Sequence, residues 1–203
     1  MARPRTVSDK QILDAVRASV LEHGPRVSLT EVANRVGVSQ PALFKRFGSR
    51  RKLMLSALVP PCAPSWLLEL EGGPDARPFA EQLRRLIVSI GRDVEEKMPC
   101  LSALRESGIP REEILANMSG SPPVENLRAL TRWLERAAEK KQVDPCGMRL
   151  ESVAAGLIGA VTARFHVQHL LNRAWTRTTD SEFADDVTQM FLRILCPARG
   201  DPR

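Results

Sequence analysis

The stretch from Ser28 to Leu55, SLTEVANRVGVSQPALFKRFGSRRKLML, restricts the fold of this chain more than any other. Ser28 and Glu31 form the S-x-x-E pattern of a capping box at a helix start. Leu29, Val32, Ala33 and Val36 then fall on one helical face. Gly37 stands where that helix needs a left-handed C-terminal residue. Ser39 caps a second helix, with Pro41 tolerated in its first turn. Leu43 and Phe47, four residues apart, face back toward the first helix, which turns Gln40, Ala42, Lys45 and Arg46 outward. Gly48 ends the second helix and Ser49 caps a third. A short helix crossing a supporting helix through a Gly-containing turn, polar and basic on its outer face, is a helix-turn-helix suited to a DNA major groove.

The charge distribution points the same way. The chain of 203 residues carries a net charge of +6, and residues 1–52 hold 11 Lys or Arg against 4 Asp or Glu while the remainder holds 19 against 20. All the basic excess therefore lies on the helix-turn-helix segment, as expected of a phosphate-binding domain joined to a neutral partner domain. The bland alternative, a basic face that is merely solvated, loses ground once the motif is considered.

Extended back to Ile12, the segment resembles the N-terminal domain of TetR-type transcriptional regulators. The resemblance runs through Ile12 to Ala15, Gly24, Leu29-Thr30, Val32-Ala33, Gly37 to Ser39, Ala42 to Phe44, Phe47, Ser49 and Leu53, about the first quarter of the chain. Three positions depart from the family pattern. Phe44 replaces a Tyr whose hydroxyl commonly touches phosphate, Arg50 replaces a Lys, and Val20 replaces a larger apolar residue.

Taken in order, Met1 to Val7 is a basic arm whose Arg3 and Arg5 suit a minor groove, though a floppy terminus adding only general attraction is the favoured reading of the arm by itself. Ser8 and Gln11 make a second capping box, and the first helix buries Ile12, Leu13, Val16 and Val20 before Gly24-Pro25. A helix from Ser49 should end by Val59, because Pro60-Pro61 follows. Arg50, Arg51 and Lys52 in its first turn oppose the helix dipole, and phosphate contact would compensate. The breaker-rich passage 60–78, with room for a short helix at Trp66–Glu71, marks a domain boundary: 1–59 reads DNA and 60–203 forms a second, helical domain.

Beyond Pro78 the apolar spacing is helical throughout. One stripe of Phe79, Leu83, Leu86, Ile87 and Ile90 is expected to end near Lys97, before Pro99. Short helices follow at Leu101–Glu106 and Glu112–Met118. A longer one opens at Pro122-Pro123, and Asp144-Pro145 has the form of an N-cap with Pro at the first helical position. Two helices fit 147–172 and 181–195. The first carries the small residues Ala154, Ala155, Gly156, Gly159, Ala160 and Ala163, and the second a broad apolar face including Phe183, Val187 and Phe191. No segment alternates with period two, so the fold class is all-α, a three-helix N-terminal helix-turn-helix domain plus a C-terminal helical domain for ligand binding and dimerisation.

Several chemistries are disfavoured. Cys62, Cys100, Cys146 and Cys196 are widely spaced and form no C-x-x-C, so they fit thiols in a reducing cytoplasm better than zinc ligands, with redox sensing a minor alternative. MARPRTVSDK lacks the apolar core of a secretory signal, and Ser152–Ala163 is too short to span a bilayer, so a cytoplasmic location and no membrane partner are expected. His166 and His169, three apart on one helix, could chelate a metal, but no third ligand is evident; a pocket or interface role suits them better. No nucleophile, zinc-hydrolase, P-loop or dinucleotide signature occurs. Catalytic residues, cofactor and metal are all expected to be absent.

These readings combine into a cytoplasmic, homodimeric DNA-binding regulator, a ligand-responsive repressor of a palindromic operator. A non-regulatory architectural DNA-binding protein and an enzyme bearing a helix-turn-helix are the alternatives. Thr30, Ser39, Arg46 and Arg50 are candidate phosphate anchors. Gln40 and Lys45 are candidates for base edges, since Gln pairs with adenine and Lys with guanine. Pro41, Ala42 and Phe44 are candidates for apolar contact to thymine methyls or sugar. The resemblance implies that the last two long helices pair with a second subunit as a four-helix bundle, and that a small molecule binds in the C-terminal domain. An apolar effector would there meet Leu83, Ile87, Trp133 and Phe165, with Arg164, His166 and His169 as polar contacts.

Overall fold

The computed structural model describes residues 7–59, 64–118, 123–171 and 176–195. These form ten helices and no strand: α1 (Asp9–His23), α2 (Leu29–Val36), α3 (Gln40–Phe47), α4 (Arg50–Leu58), α5 (Ser65–Glu71), α6 (Phe79–Glu106), α7 (Arg111–Asn117), α8 (Pro123–Glu139), α9 (Leu150–Leu171) and α10 (Asp180–Ile194). Arg3 and Arg5 lie outside the described residues.

Helix starts follow the side chains that can satisfy free N–H groups. The Ser8 hydroxyl accepts from the Gln11 N–H while the Gln11 side chain accepts from the Ser8 N–H. Ser28, Ser39 and Ser49 accept from Glu31, Ala42 and Lys52 at 3.4, 3.3 and 3.2 Å. Such a cap is worth about 1 kcal/mol. Gly37, at φ +76°, ends α2, and the Val38 N–H returns to the Ala33 carbonyl at 3.0 Å, closing a Schellman motif. An L side chain at that φ would be strained.

The chain divides into two compact units. The first contains residues 1–61 together with 97–119, and the second contains 62–96 together with 120–203. In the first unit Ile12, Val16, Leu29, Val32, Leu43, Leu53, Met54 and Leu58 form one buried cluster with Cys100, Leu104, Ile109 and Ile114. Leu13 is half-buried at its edge. The second unit has a core drawn from α5, the first part of α6, α8, α9 and α10, with Leu83, Ile87, Leu130, Trp133, Leu134 and Leu157 among its buried residues. Phe79 stacks on Trp133 at 5.3 Å between ring centroids.

Two helix boundaries differ from expectation. The break placed before Pro99 is absent, and α6 runs unbroken from Phe79 to Glu106 with Pro99 inside it. Proline removes one intrahelical hydrogen bond and crowds the carbonyl four residues earlier. Burial of Leu83, Leu86, Ile87 and Ile90 on one side of it, and of Cys100, Ala103 and Leu104 on the other, holds the helix through that point. The second difference is at Asp144-Pro145, which does not cap a helix. The Asp144 carboxylate accepts from the Cys146 N–H at 2.9 Å, Cys146 and Gly147 take positive φ, and α9 begins only at Leu150. The local turn satisfies the Asp side chain before a helix can use it.

Candidate nucleic-acid interface and C-terminal groove

In the first unit α3 presents the face that the sequence assigns to it. Leu43 is fully buried beneath the helix, while Pro41, Lys45 and Arg46 are exposed and Gln40, Ala42 and Phe44 half-buried. Phe44 and Phe47 pack against the core cluster, so only part of the Phe44 side chain is exposed.

The hydrogen bonds sort the candidate contacts into two groups. Arg50 donates through Nη2 to the carbonyls of Pro25 and Val27, at 2.9 and 3.0 Å. It thereby ties the start of α4 to the turn between α1 and α2. Arg46 donates to the Val7 carbonyl at 2.7 Å and pairs with Asp9 at 2.8 Å, which fixes the chain entering α1 to the last turn of α3. Both cations are thus engaged by the protein itself. Arg51 is also paired, with Glu113 of α7. Lys45 and Lys52 are exposed, and their ammonium groups have no partner among the described residues. Sequence reading named Lys52 with Arg50 and Arg51 as first-turn cations suited to phosphate, whereas the exposed Arg26 was marked only by the excess of charge on this segment.

Thr30 and Gln40 are brought together: the Thr30 hydroxyl donates to Gln40 Oε1 at 3.1 Å across the turn between α2 and α3. Ser39 accepts from the Ala42 N–H, and its own hydroxyl proton has no acceptor among the described residues.

The second unit contains a groove of about 340 Å³ between α6, α9 and the first turns of α10. Its floor is apolar, with Ile87, Val88, Val161, Phe165 and Phe183, and its rim carries Arg84, Arg92, Glu95 and Asp180. Of the residues expected to hold an effector, Ile87 and Phe165 line this groove. Leu83 and Trp133 are buried in the core and are not part of the lining. Arg164 is 5% exposed and stands behind the wall. Its Nε and Nη2 donate to Asp180 at 2.9 and 2.7 Å, Nη2 donates to the Thr178 carbonyl at 2.7 Å, and its guanidinium lies 4.6 Å from the Phe183 ring centre. It joins α9 to the start of α10. His166 and His169 are half-buried and outside the lining. Among the described residues no three His, Cys, Asp or Glu side chains group as a metal site. On the rim, Arg84 donates to Asp185 at 2.5 Å and to Ser181 at 2.9 Å, which leaves Arg92 as the lining cation without a partner among the described residues.

Sequence reasoning passed over much of this lining, including Arg84, Val88, Arg92, Glu95, Val161 and Gly91. A Cβ at Gly91 would lie 2.9 Å from Phe165 Cε2, closer than side chains pack. Its absence lets the Phe165 ring rest directly on α6. A glycine inside an otherwise regular apolar helical stripe is itself a signal of such close approach.

With this geometry in view, comparison with known proteins is informative. Residues 12–57 match the family model described as bacterial regulatory proteins, tetR family. An uncharacterized HTH-type transcriptional regulator of Mycobacterium tuberculosis is 37% identical over 60 residues, covering 29% of this chain and 32% of that protein. The chain therefore matches about a third of the length of that curated relative. Among solved structures, a TetR-family transcriptional regulator of Mesorhizobium loti superposes with a TM-score of 0.65 at 13% identity, covering 92% of this chain and 95% of the other. SmeT, the repressor of the Stenotrophomonas maltophilia multidrug efflux pump SmeDEF, gives 0.60 at 18% identity, covering 98% and 97%. The N-terminal domain of this chain is a TetR-type helix-turn-helix domain, and the whole chain shares the all-α fold of those regulators.

Proposed function

We propose that this chain is a transcriptional repressor that binds a palindromic operator as a homodimer and releases it when a mostly apolar small molecule binds the C-terminal domain. The observation that carries the reading is the outer part of α3, where Lys45 is exposed with no partner among the described residues, on the same helix as Gln40 and with the inner face locked by Leu43. Each subunit lays α3 in one major groove. Lys45 and Gln40 meet base edges, and Ser39 and Lys52 meet phosphate. Two subunits related by a twofold axis require half-sites about 10 base pairs apart, or a multiple of that. Arg46 and Arg50 contribute by shaping the reading head, and contact phosphate only with donors left over from their protein partners.

The second subunit covers α9 and α10. Gly156, Gly159, Ala163 and Leu170 are exposed on α9, and Met190 is exposed on α10. Small residues flanked by exposed apolar ones suit close helix packing. The effector enters the groove floored by Ile87, Phe165 and Phe183, whose volume lies in the range of small-molecule sites. Moving an operator from about 99% to about 1% occupied requires the effector to favour the released form by about 5.5 kcal/mol, or about 2.7 kcal/mol per subunit. That is a usual allosteric coupling.

The test is selection of a preferred sequence from random duplexes by the full chain, followed by anisotropy titrations across salt. A twofold-symmetric site bound at least a thousandfold more tightly than random DNA supports the reading. Binding without sequence preference would favour the architectural alternative.

A further inference from the structure

We infer that Thr30 is a specificity-determining residue that acts through Gln40, fixing its amide so that it reads guanine rather than adenine. The inference rests on the proposal that α3 enters the major groove. A glutamine amide has an acceptor end and a donor end. Pairing with adenine uses both, the oxygen accepting from N6–H and the nitrogen donating to N7. In this chain the acceptor end is engaged: the Thr30 hydroxyl donates to Gln40 Oε1 at 3.1 Å. Thr30 lies in the first turn of α2, and Gln40 is the first residue of α3, directly after the Ser39 cap. Both backbones are therefore held by capped helix starts, and the bond bridges two fixed points. It turns the oxygen toward α2 and leaves the two N–H groups facing outward. A pair of donors matches the guanine major-groove edge, which offers the N7 and O6 acceptors together. Adenine offers one acceptor and one donor there, so its N6–H₂ would face the Gln40 donors while Oε1, with one lone pair taken by Thr30, is held toward α2. Gln40 is half-buried, which limits its rotation to other positions.

Thr30→Val removes the donor and keeps the branched shape, whereas Thr30→Ser keeps the donor. Operator selection and base-by-base competition with the full-length protein read the result. In the parent, one symmetric position per half-site should be guanine, favoured over adenine by about tenfold, and Gln40→Ala should abolish preference at that position alone. Thr30→Val should shift the same position toward adenine by about tenfold, and Thr30→Ser should retain guanine. Circular dichroism melts of the variants establish that each is folded; should Thr30→Val not fold, Thr30→Asn offers the acceptor and donor of an amide instead of a hydroxyl and should also disturb the guanine preference. Adenine at the Gln40-dependent position, or an unchanged preference in folded Thr30→Val, overturns the inference and leaves the regulator reading standing. Failure of the parent to select any sequence overturns both.

Discussion

Arg50 and Val27 are joined by a hydrogen bond of 3.0 Å from guanidinium to backbone carbonyl, and the same nitrogen reaches Pro25 at 2.9 Å. A cation in the first turn of a helix opposes the helix dipole. Here its compensation comes from within the protein. Arg50→Ala should therefore lower stability by about 1 kcal/mol, since the group is exposed and water recovers part of the loss. The salt dependence of operator binding should change by well under one unit of slope. Urea melts and salt-dependent anisotropy separate the two effects. A full unit of slope with unchanged stability would assign Arg50 to phosphate instead.

Lys52 and Lys45 should behave in the opposite way. Lys52→Ala should weaken all duplexes alike and flatten the salt slope by about 0.9 unit, with little change in melting temperature. Lys45→Ala should weaken the selected operator by about 1–3 kcal/mol and relax preference at one position. Parent-like binding by both variants would refute the placement of α3 in the groove.

Assembly can be probed at Gly159, which is exposed and has no atom within 4 Å of a would-be Cβ. Gly159→Arg should fit the folded subunit yet place a charge in the paired face, giving a folded monomer in light scattering where the parent gives twice the chain mass. Phe191 is a poor choice for this purpose, although it lies on α10. It is 3% exposed inside its own subunit, so a charge there would disrupt the fold itself. A parent chain that is monomeric at micromolar concentration would overturn the dimer.

The groove makes a separate prediction. Gly91→Ala must displace the Phe165 ring, and overpacking of this kind costs about 1–3 kcal/mol. Small apolar molecules that raise the melting temperature of the parent should do so less in this variant. They should also release operator from the parent. Hits that stabilise the protein equally in both variants bind elsewhere, and hits that leave operator affinity unchanged are not effectors.

One acid-sensitive element is also expected. The Arg77 side chain and N–H both donate to the Asp75 carboxylate, which holds its pKa at about 2 instead of 3.8. A depressed carboxylate stabilises the fold above its unfolded value and loses that contribution as pH falls through the folded value. Its share should therefore be constant at neutral pH and disappear between about pH 4 and pH 2. Asp75→Asn should make the acid limb of a stability–pH curve shallower in that window.

Much of the architecture was legible because local chemistry and tertiary packing agree. Ser8, Ser28, Ser39 and Ser49 each cap the helix they appear to cap, and Gly37 closes α2. The apolar periodicity of α6, α8 and α10 is the periodicity of their buried faces. Where the reading failed, at Pro99, a nonlocal force overrode a local one. Pro99 is a helix breaker whose effect is outweighed by burial on either side, which no window of sequence records. The roles of Arg46 and Arg50 depend on carbonyls of Val7, Pro25 and Val27 that come near only after folding. Residue type identified them as cations but could not say that backbone oxygens would claim them first. In the groove, Ile87 and Phe165 were accessible as large apolar residues, whereas Gly91 matters for the atom it lacks.

The interleaving of the two units has a consequence for how the molecule can be taken apart. The first unit draws Leu104, Ile109 and Ile114 from more than forty residues beyond Val59, and all three are buried in its core. A fragment ending at Val59 would keep every residue proposed to face DNA and lose part of the floor on which they stand. Removing three large aliphatic side chains from one cluster would cost several kcal/mol, comparable to the whole stability of a small domain. The reading head is thus not a detachable cassette, and proteolytic nicking near residue 60 should leave its two pieces associated instead of releasing an active N-terminal fragment.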